Sequence, residues 1–289
     1  MSGALKPAVE SLGIIHGHYE CRSLDETVPV LSHLLALDVV DRKDKQVILK
    51  HPNTDWLLIV HESGPGVPDK PQRNHYGVRV TNNDEVDRAY EYLTAKKEDL
   101  RLKRVVKRRE REGSYSVFFM EAGGNYWEIE SYENRHKAGL PYDVSYPWKQ
   151  PLTEAQFPGR GYVPQAFTHG TIECNDWEMS VKFYKEGLGM DVITHIVTPK
   201  PHNIKHPSKP WYVVSLEVPE KNRKYLGPLQ RFTVAVNSPT TLAAAHEQLH
   251  ARRAELAVTE IEEVRDNPDG ASFLLRDLNR NWWEIAYQK

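Results

Sequence analysis

The chain has 289 residues, enough for two domains of ordinary size, and its 39% hydrophobic and 10% aromatic content can build real cores. A formal charge of −2 offers no overall attraction to nucleic acid or to an anionic membrane. No apolar run approaches the roughly 20 residues of a membrane span, and residues 1–10 lack the charged and apolar segments of a signal peptide.

Residues 13–21 read as a strand. Ser23 is placed to cap a helix that ends near Leu37, with Pro29 inside it. Strands follow near 38–41, 46–50 and 56–61, and then the order restarts. Residues 75–81 form a strand, and Asn83 caps a helix with Val86, Ala89, Tyr90 and Leu93 on one face. Strands near 103–107, 115–121 and 125–131 complete the first half. The second half copies this pattern, with helices near 176–187 and 239–253. The expected fold is α+β: four βαβββ motifs in two homologous domains with curved, barrel-like mixed sheets. The domains are 1–133 and 166–289. A linker, 134–165, contains Pro141, Pro147, Pro151, Pro158 and Pro164.

The repeat is visible residue by residue. Phe167-Thr168-His169-Gly170-Thr171-Ile172-Glu173-Cys174 restates Ile14-Ile15-His16-Gly17-His18-Tyr19-Glu20-Cys21, and Asn281-Trp282-Trp283-Glu284-Ile285 restates Asn125-Tyr126-Trp127-Glu128-Ile129. Between these markers His75 in the first half aligns with Arg231 in the second. The first half therefore holds His16, His75 and Glu128, and the second holds His169, Arg231 and Glu284. Cys21 and Cys174 fall at equivalent positions and read as free thiols, which suits a reducing cytoplasm.

Two imidazoles and a carboxylate on neighbouring strands of one curved sheet can converge on a metal and leave coordination positions open. That is the arrangement of non-haem Fe(II) enzymes, although manganese, zinc or nickel suits the same donors. Arginine cannot replace a ligating histidine, so an Arg231–Glu284 ion pair is expected in the second half. The basic stretch Lys96–Arg111 is interleaved with Glu98, Asp99 and Glu110. It reads as a solvated strand edge, not a nucleic-acid surface.

The four-fold motif, the His-Gly opening strand and the closing Gly124-Asn125-Tyr126-Trp127-Glu128 resemble the vicinal oxygen chelate superfamily. That superfamily includes glyoxalase I, bleomycin-resistance proteins and type I extradiol dioxygenases, and the resemblance covers nearly the whole chain. It implies metal ligands at His16, His75 and Glu128. Some relatives mix motifs from both domains, which makes His169 the alternative first ligand. The linker sequence Phe157-Pro158-Gly159-Arg160-Gly161 is similar to that of dioxygenases with one-domain sites, and it favours His16. Extradiol enzymes usually keep their metal in the second domain and place a tyrosine about ten residues before the ligating glutamate. Here the complete set is in the first domain and that position is Phe118. The region 109–114 also lacks the family's histidine beside the site.

Two residues are candidates to supply the missing acid–base chemistry. His18 lies two strand positions from His16 and shares its face, and Tyr115 lies near Phe118. Arg79, Phe118, Tyr126 and Glu130 are expected to line the substrate site, Arg79 as an anion receptor or as a partner of Glu130. The resemblance implies an Fe(II)-dependent, extradiol-like dioxygenase that takes an aromatic, phenolic small molecule and O₂ and forms homo-oligomers. A glyoxalase-like metal-dependent lyase, isomerase or hydrolase is the second reading. A non-catalytic binding protein is the third.

Overall fold

Each quarter of the chain begins with a strand, and each of the four helices that follow starts one residue after a side chain that accepts a backbone N–H. The computed structural model describes residues 6–111, 113–134, 150–195 and 201–289. Pro141 and Pro147 of the linker lie outside the described residues, as do the side chains of residues 107–112. In the first repeat, β1 (Gly13–Cys21), α1 (Leu24–Leu35), β2 (Asp38–Lys43), β3 (Gln46–Lys50) and β4 (Leu57–Glu62) come first. They are followed by β5 (His75–Arg79), α2 (Asn83–Ala95), β6 (Arg104–Arg111), β7 (Ser114–Met120) and β8 (Tyr126–Ser131).

The second repeat has β9 (Ala166–Cys174), α3 (Trp177–Lys182), β10 (Asp191–Thr194), β11 (His202–Lys205) and β12 (Tyr212–Glu217). It continues with β13 (Arg231–Val236), α4 (Pro239–Ala251), β14 (Glu260–Ile261), β15 (Arg265–Asn267), β16 (Gly270–Arg276) and β17 (Trp282–Gln288). The α+β architecture of four such motifs is the one expected.

The helix starts follow from local chemistry. Ser23 accepts from Glu26 N at 3.3 Å, Asp176 from Met179 N and Ser238 from Thr241 N, both at 3.0 Å. For α2 the cap is Asn82, which accepts from Glu85 N at 3.0 Å, one residue before the Asn83 expected. The helix predicted over 176–187 differs from expectation: its α-helical part stops at Lys182 and continues as a π-helical segment, Phe183–Gly187.

The chain divides into two compact units that do not coincide with the two repeats. Of the described residues, one comprises 6–18, 172–193 and 201–289, and the other comprises 19–111, 113–134, 150–171 and 194–195. Each repeat thus gives most of its opening strand to the unit built by the other. In the first-repeat unit the strand order is β9-β5-β8-β7-β6, with β5 antiparallel to β9 and parallel to β8. In the second-repeat unit β1 takes the place of β9, in the order β1-β13-β17-β16-β14.

Strand alternation decides what faces the site. Tyr76, Trp127 and Phe167 point into a core with Tyr19 and Trp56, where the Trp56 and Phe167 rings stack at 4.6 Å. Their neighbours His75, Gly77, Arg79, Glu128 and Glu130 must then face the other side. The asparagines that mark the repeat are structural. Asn125 donates to Glu20 O and Asn281 to Glu173 O, each at 3.0 Å. The buried carboxylates of Glu121 and Asp277 accept from the same asparagines. Part of the linker is also packed: Leu152, Phe157 and Val163 form a buried cluster with Ala36.

Buried His51 joins this linker to the strand layer. Its Nε2 donates to Pro164 O at 3.0 Å while its Nδ1 accepts from Asn53 N at 3.1 Å, so the neutral ring is fully used. Burial pushes its pKa down to about 4, with the Pro164 carbonyl opposing the shift. The unfolded chain therefore binds a proton below about pH 6.5 that the folded chain rejects. This contribution to stability is complete above that pH and is lost as the pH falls toward 4. At pH 5 the expected loss is roughly 2 kcal/mol. Urea midpoints at pH 7 and pH 5 should differ more for the native protein than for His51→Gln, and equal differences would refute the assignment.

Candidate metal centre

Three side chains converge in the first-repeat unit: His75 from β5, Glu128 from β8 and His169 from β9. The Nε2 of His75 lies 3.0 Å from Glu128 Oε2, and the Nε2 of His169 lies 3.2 Å from the same oxygen. The two Nε2 atoms are 3.4 Å apart. Ligands about 2.1 Å from one ion sit roughly 3.0 Å apart at right angles and roughly 3.4 Å apart at the tetrahedral angle. The three donor atoms already have that spacing.

The far sides of both rings are tied down. His75 Nδ1 meets Gln72 O at 2.7 Å, and His169 Nδ1 lies 3.2 Å from Glu130 Oε1. Such bonds fix the tautomer that leaves Nε2 as the lone-pair donor. Glu130 is held in turn by Arg79, whose Nη2 donates to it at 2.7 Å. Electrostatics make the place receptive to a cation. Burial would raise the Glu128 pKa, but the His169 and His75 hydrogen bonds hold it well below the usual carboxylate range. Glu130 is also lowered, against burial, by Arg79 and His169. Burial would lower His169, yet Glu130 and Glu128 on its two sides push it up to about 9. With neutral imidazoles, Glu128, Glu130 and Arg79 sum to one buried negative charge. The donor set therefore fits a divalent metal in both geometry and charge.

One position on β5 makes the convergence possible. Gly77 pairs with His169 on one side and with Glu128 on the other. A Cβ at residue 77 would stand 2.1 Å from His169 Cε1 and 2.7 Å from its Nε2. Reading the histidines and the glutamate as ligands missed this residue. Its signal was the alignment of Gly77 with Thr233.

The corresponding place in the second-repeat unit is built from His16, His18, Arg231, Thr233 and Glu284, with His18 Nε2 2.8 Å from Thr233 Oγ1 and 3.6 Å from Glu284 Oε2. Arg231 Nε donates to Glu284 Oε2 at 3.0 Å, the ion pair expected from the sequence. Thr233 Oγ1 donates to the same oxygen at 2.8 Å, and Ser272 donates to Oε1 at 2.8 Å. Glu284 is thus neutralised and occupied. His16 does not join His75; it lies in the other unit, where burial lowers its pKa to about 4, Glu284 opposing and Arg231 adding to the shift. The sequence favoured His16 with His169 as the alternative; the structure sets His169 beside His75, because β9 pairs with β5 while β1 pairs with β13.

The remaining candidates divide by strand parity. Phe118 pairs with Glu128, and its ring stands edge-on to His75 with centroids 5.1 Å apart. Tyr126 pairs with His75 and packs with Phe118 and Met120. Tyr115 pairs with Ser131 and donates to Asp87 at 2.7 Å, so it faces α2 and away from the cluster. It lies three positions before Phe118, and residues at an odd offset on a strand do not share a face. His18 is also elsewhere: it lies in the second-repeat unit, with Nε2 2.8 Å from Thr233 Oγ1. Arg79 is engaged by Glu130 and lies over the Tyr132 ring. It is the partner of Glu130, not an open anion receptor.

A doubled βαβββ fold with a buried two-histidine, one-glutamate cluster defines a class of small-molecule proteins in which many members depend on a metal. The chain belongs to the Glyoxalase/Bleomycin resistance protein/Dioxygenase superfamily, whose family model matches residues 16–129 and again 166–285. Among solved structures it is similar to glyoxalase I from Zea mays, with TM-score 0.63 and 14% identity over 95% of this chain and 92% of that one. It is also similar to a protein described as a dioxygenase from Bacillus subtilis, with TM-score 0.59 and 14% identity over 99% of this chain and 86% of that one. At such identity the likeness is one of fold. No curated protein matches the chain. Among the described residues, no helix is long and apolar enough to cross a membrane. Both cysteines are free and buried.

Proposed function

We propose that the chain is an Fe(II)-dependent dioxygenase of aromatic, phenolic small molecules, with its metal held by His75, Glu128 and His169. The observation behind this reading is the set of three donor atoms 3.0–3.4 Å apart, each imidazole fixed by a partner on its far nitrogen. Three protein donors on one side leave the other side to substrate and O₂. Bound Fe(II) supplies a point where an ionised phenolic oxygen and O₂ are held together and electron density passes between them.

The protein's own part is positioning and exclusion of water. Glu130 keeps the Nδ1–H of His169 on its far side, so Nε2 stays free to donate its lone pair. Phe118 covers the edge of His75, and Met120 and Val106 extend that apolar wall. A phenolic ring fits such a wall better than a polar substrate does.

The test is metal analysis of anaerobically purified protein together with O₂ uptake on simple catechols. His169→Ala and His75→Ala should weaken metal binding by at least about 100-fold, while His16→Ala should keep about one equivalent per chain. Retention in His169→Ala with loss in His16→Ala would reverse the choice of first ligand. A second reading, a Lewis-acid lyase or isomerase, is favoured by Phe118 where a dioxygenase has tyrosine. Turnover with zinc or nickel and no O₂ consumption would establish it. A chain that takes up no metal would be a binding protein.

A further inference from the structure

Beside the metal centre is a cleft of about 350 Å³, lined among others by Gln72, Lys103, Arg104, Met120 and Tyr126. Its placement follows from the sheet register. Arg104 pairs with Met120, Met120 with Tyr126, and Tyr126 with His75, so these four side chains form one cross-strand row on the face that holds Glu128. The next row is Val106, Phe118, Glu128, Gly77 and His169. The cleft and the metal ligands therefore share one wall, with Phe118, Met120 and Tyr126 between them.

The charges in the cleft are unequal in their commitments. Lys70 is buried and bound to Glu20 at 2.5 Å. Lys103 and Arg22 share the carboxylate of Asp69, each at 2.8 Å. Arg104 is different. Its Nη1 donates to the Tyr126 hydroxyl at 3.2 Å, and among the described residues no carboxylate lies within ion-pair distance of it. A guanidinium and a phenol hydroxyl side by side, at the far end of an apolar wall, form a receptor for a carboxylate or a similar anion.

We infer that the substrate has an anionic group remote from its reacting end, held by Arg104 and the Tyr126 hydroxyl. The inference rests on the metal-centre reading above and adds a second point of attachment. Three strand spacings separate β5 from β6, roughly 14 Å of backbone. Arg104 reaches back over part of that distance to meet the Tyr126 hydroxyl. The sequence left Arg79 as an anion receptor or a partner of Glu130; the structure pairs it with Glu130, and Arg104 takes the anion-binding role in this proposal.

The test is calorimetric binding to the zinc-loaded protein, with two pairs of probes. One pair is 3-(3,4-dihydroxyphenyl)propionate and its methyl ester. The other is 3-phenylpropionate and 3-phenylpropanamide, which lack the metal-chelating end. The acid of each pair should bind more tightly than its neutral partner, and Arg104→Met should weaken the acid by about 10- to 30-fold while leaving the neutral partner within about twofold. Tyr126→Phe should weaken the acid less. If the phenylpropionate pair shows this discrimination while the catechols give no O₂ uptake with Fe(II), the anion site stands and the dioxygenase reading falls. Equal binding of acid and neutral probe in both pairs, or equal losses for both in Arg104→Met, overturns the anion site whatever the O₂ result.

Discussion

Gly77→Thr should empty the metal centre and leave the fold intact. The substitution places a side chain where a Cβ alone would come within 2.1 Å of the His169 ring. His169 cannot keep its Nε2 beside Glu128 once that space is filled. The ring must turn away, and with it goes the contact to Glu130 that fixes its tautomer. Metal affinity should fall at least about 100-fold, matching removal of a ligand more than a change in its surroundings. Stability should change little, because the equivalent strand of the second repeat already carries Thr233 with the same partners on either side. Gly77→Ala should behave the same way with less added volume. Metal content measured alongside circular dichroism and a urea curve separates the outcomes. A folded Gly77→Thr protein with full metal content would show that His169 is not a ligand.

The reverse change should build a second centre. Three features close the second-repeat unit to metal: Arg231 adds a fixed cation, Thr233 fills the glycine space, and Glu284 is occupied by both. Arg231→His supplies the missing imidazole, but Thr233 still blocks the place His16 would need. The single variant should therefore stay near one metal per chain. Arg231→His with Thr233→Gly removes both obstacles and restores a net negative charge at Glu284. Metal content should rise to about two equivalents per chain, held by His16, the new histidine and Glu284. A full second equivalent in the single variant would mean that the glycine is not required. None in the double variant would mean that Ser272, which also holds Glu284, or some other constraint keeps the place closed.

These two experiments mark the boundary of what the sequence discloses. His75 and Glu128 were evident because ligand-type residues at repeated positions stand out against an arginine in the copy. The four motifs were evident for the same reason, since periodic strands and capped helices recur in order. The choice between His16 and His169 depended on which opening strand pairs with β5. That is a long-range register, and either histidine satisfies every local pattern. Gly77 passed unnoticed because its contribution is the absence of a side chain. Tyr115 was misplaced for a simpler reason: counting along β7 from Phe118 was enough to exclude it.

The exchange of opening strands has a consequence for how such a protein could arise. Two copies of a single-repeat chain, paired by swapping their first strands, would form two identical centres. Any substitution in that chain would alter both at once. After the repeats were fused, a mutation could act at one centre alone. Arginine at 231 and threonine at 233 could then accumulate while His75 and Gly77 stayed unchanged. In the chain as it stands the His75, Glu128 and His169 cluster belongs to neither repeat alone, since its third residue comes from the opening strand of the second repeat.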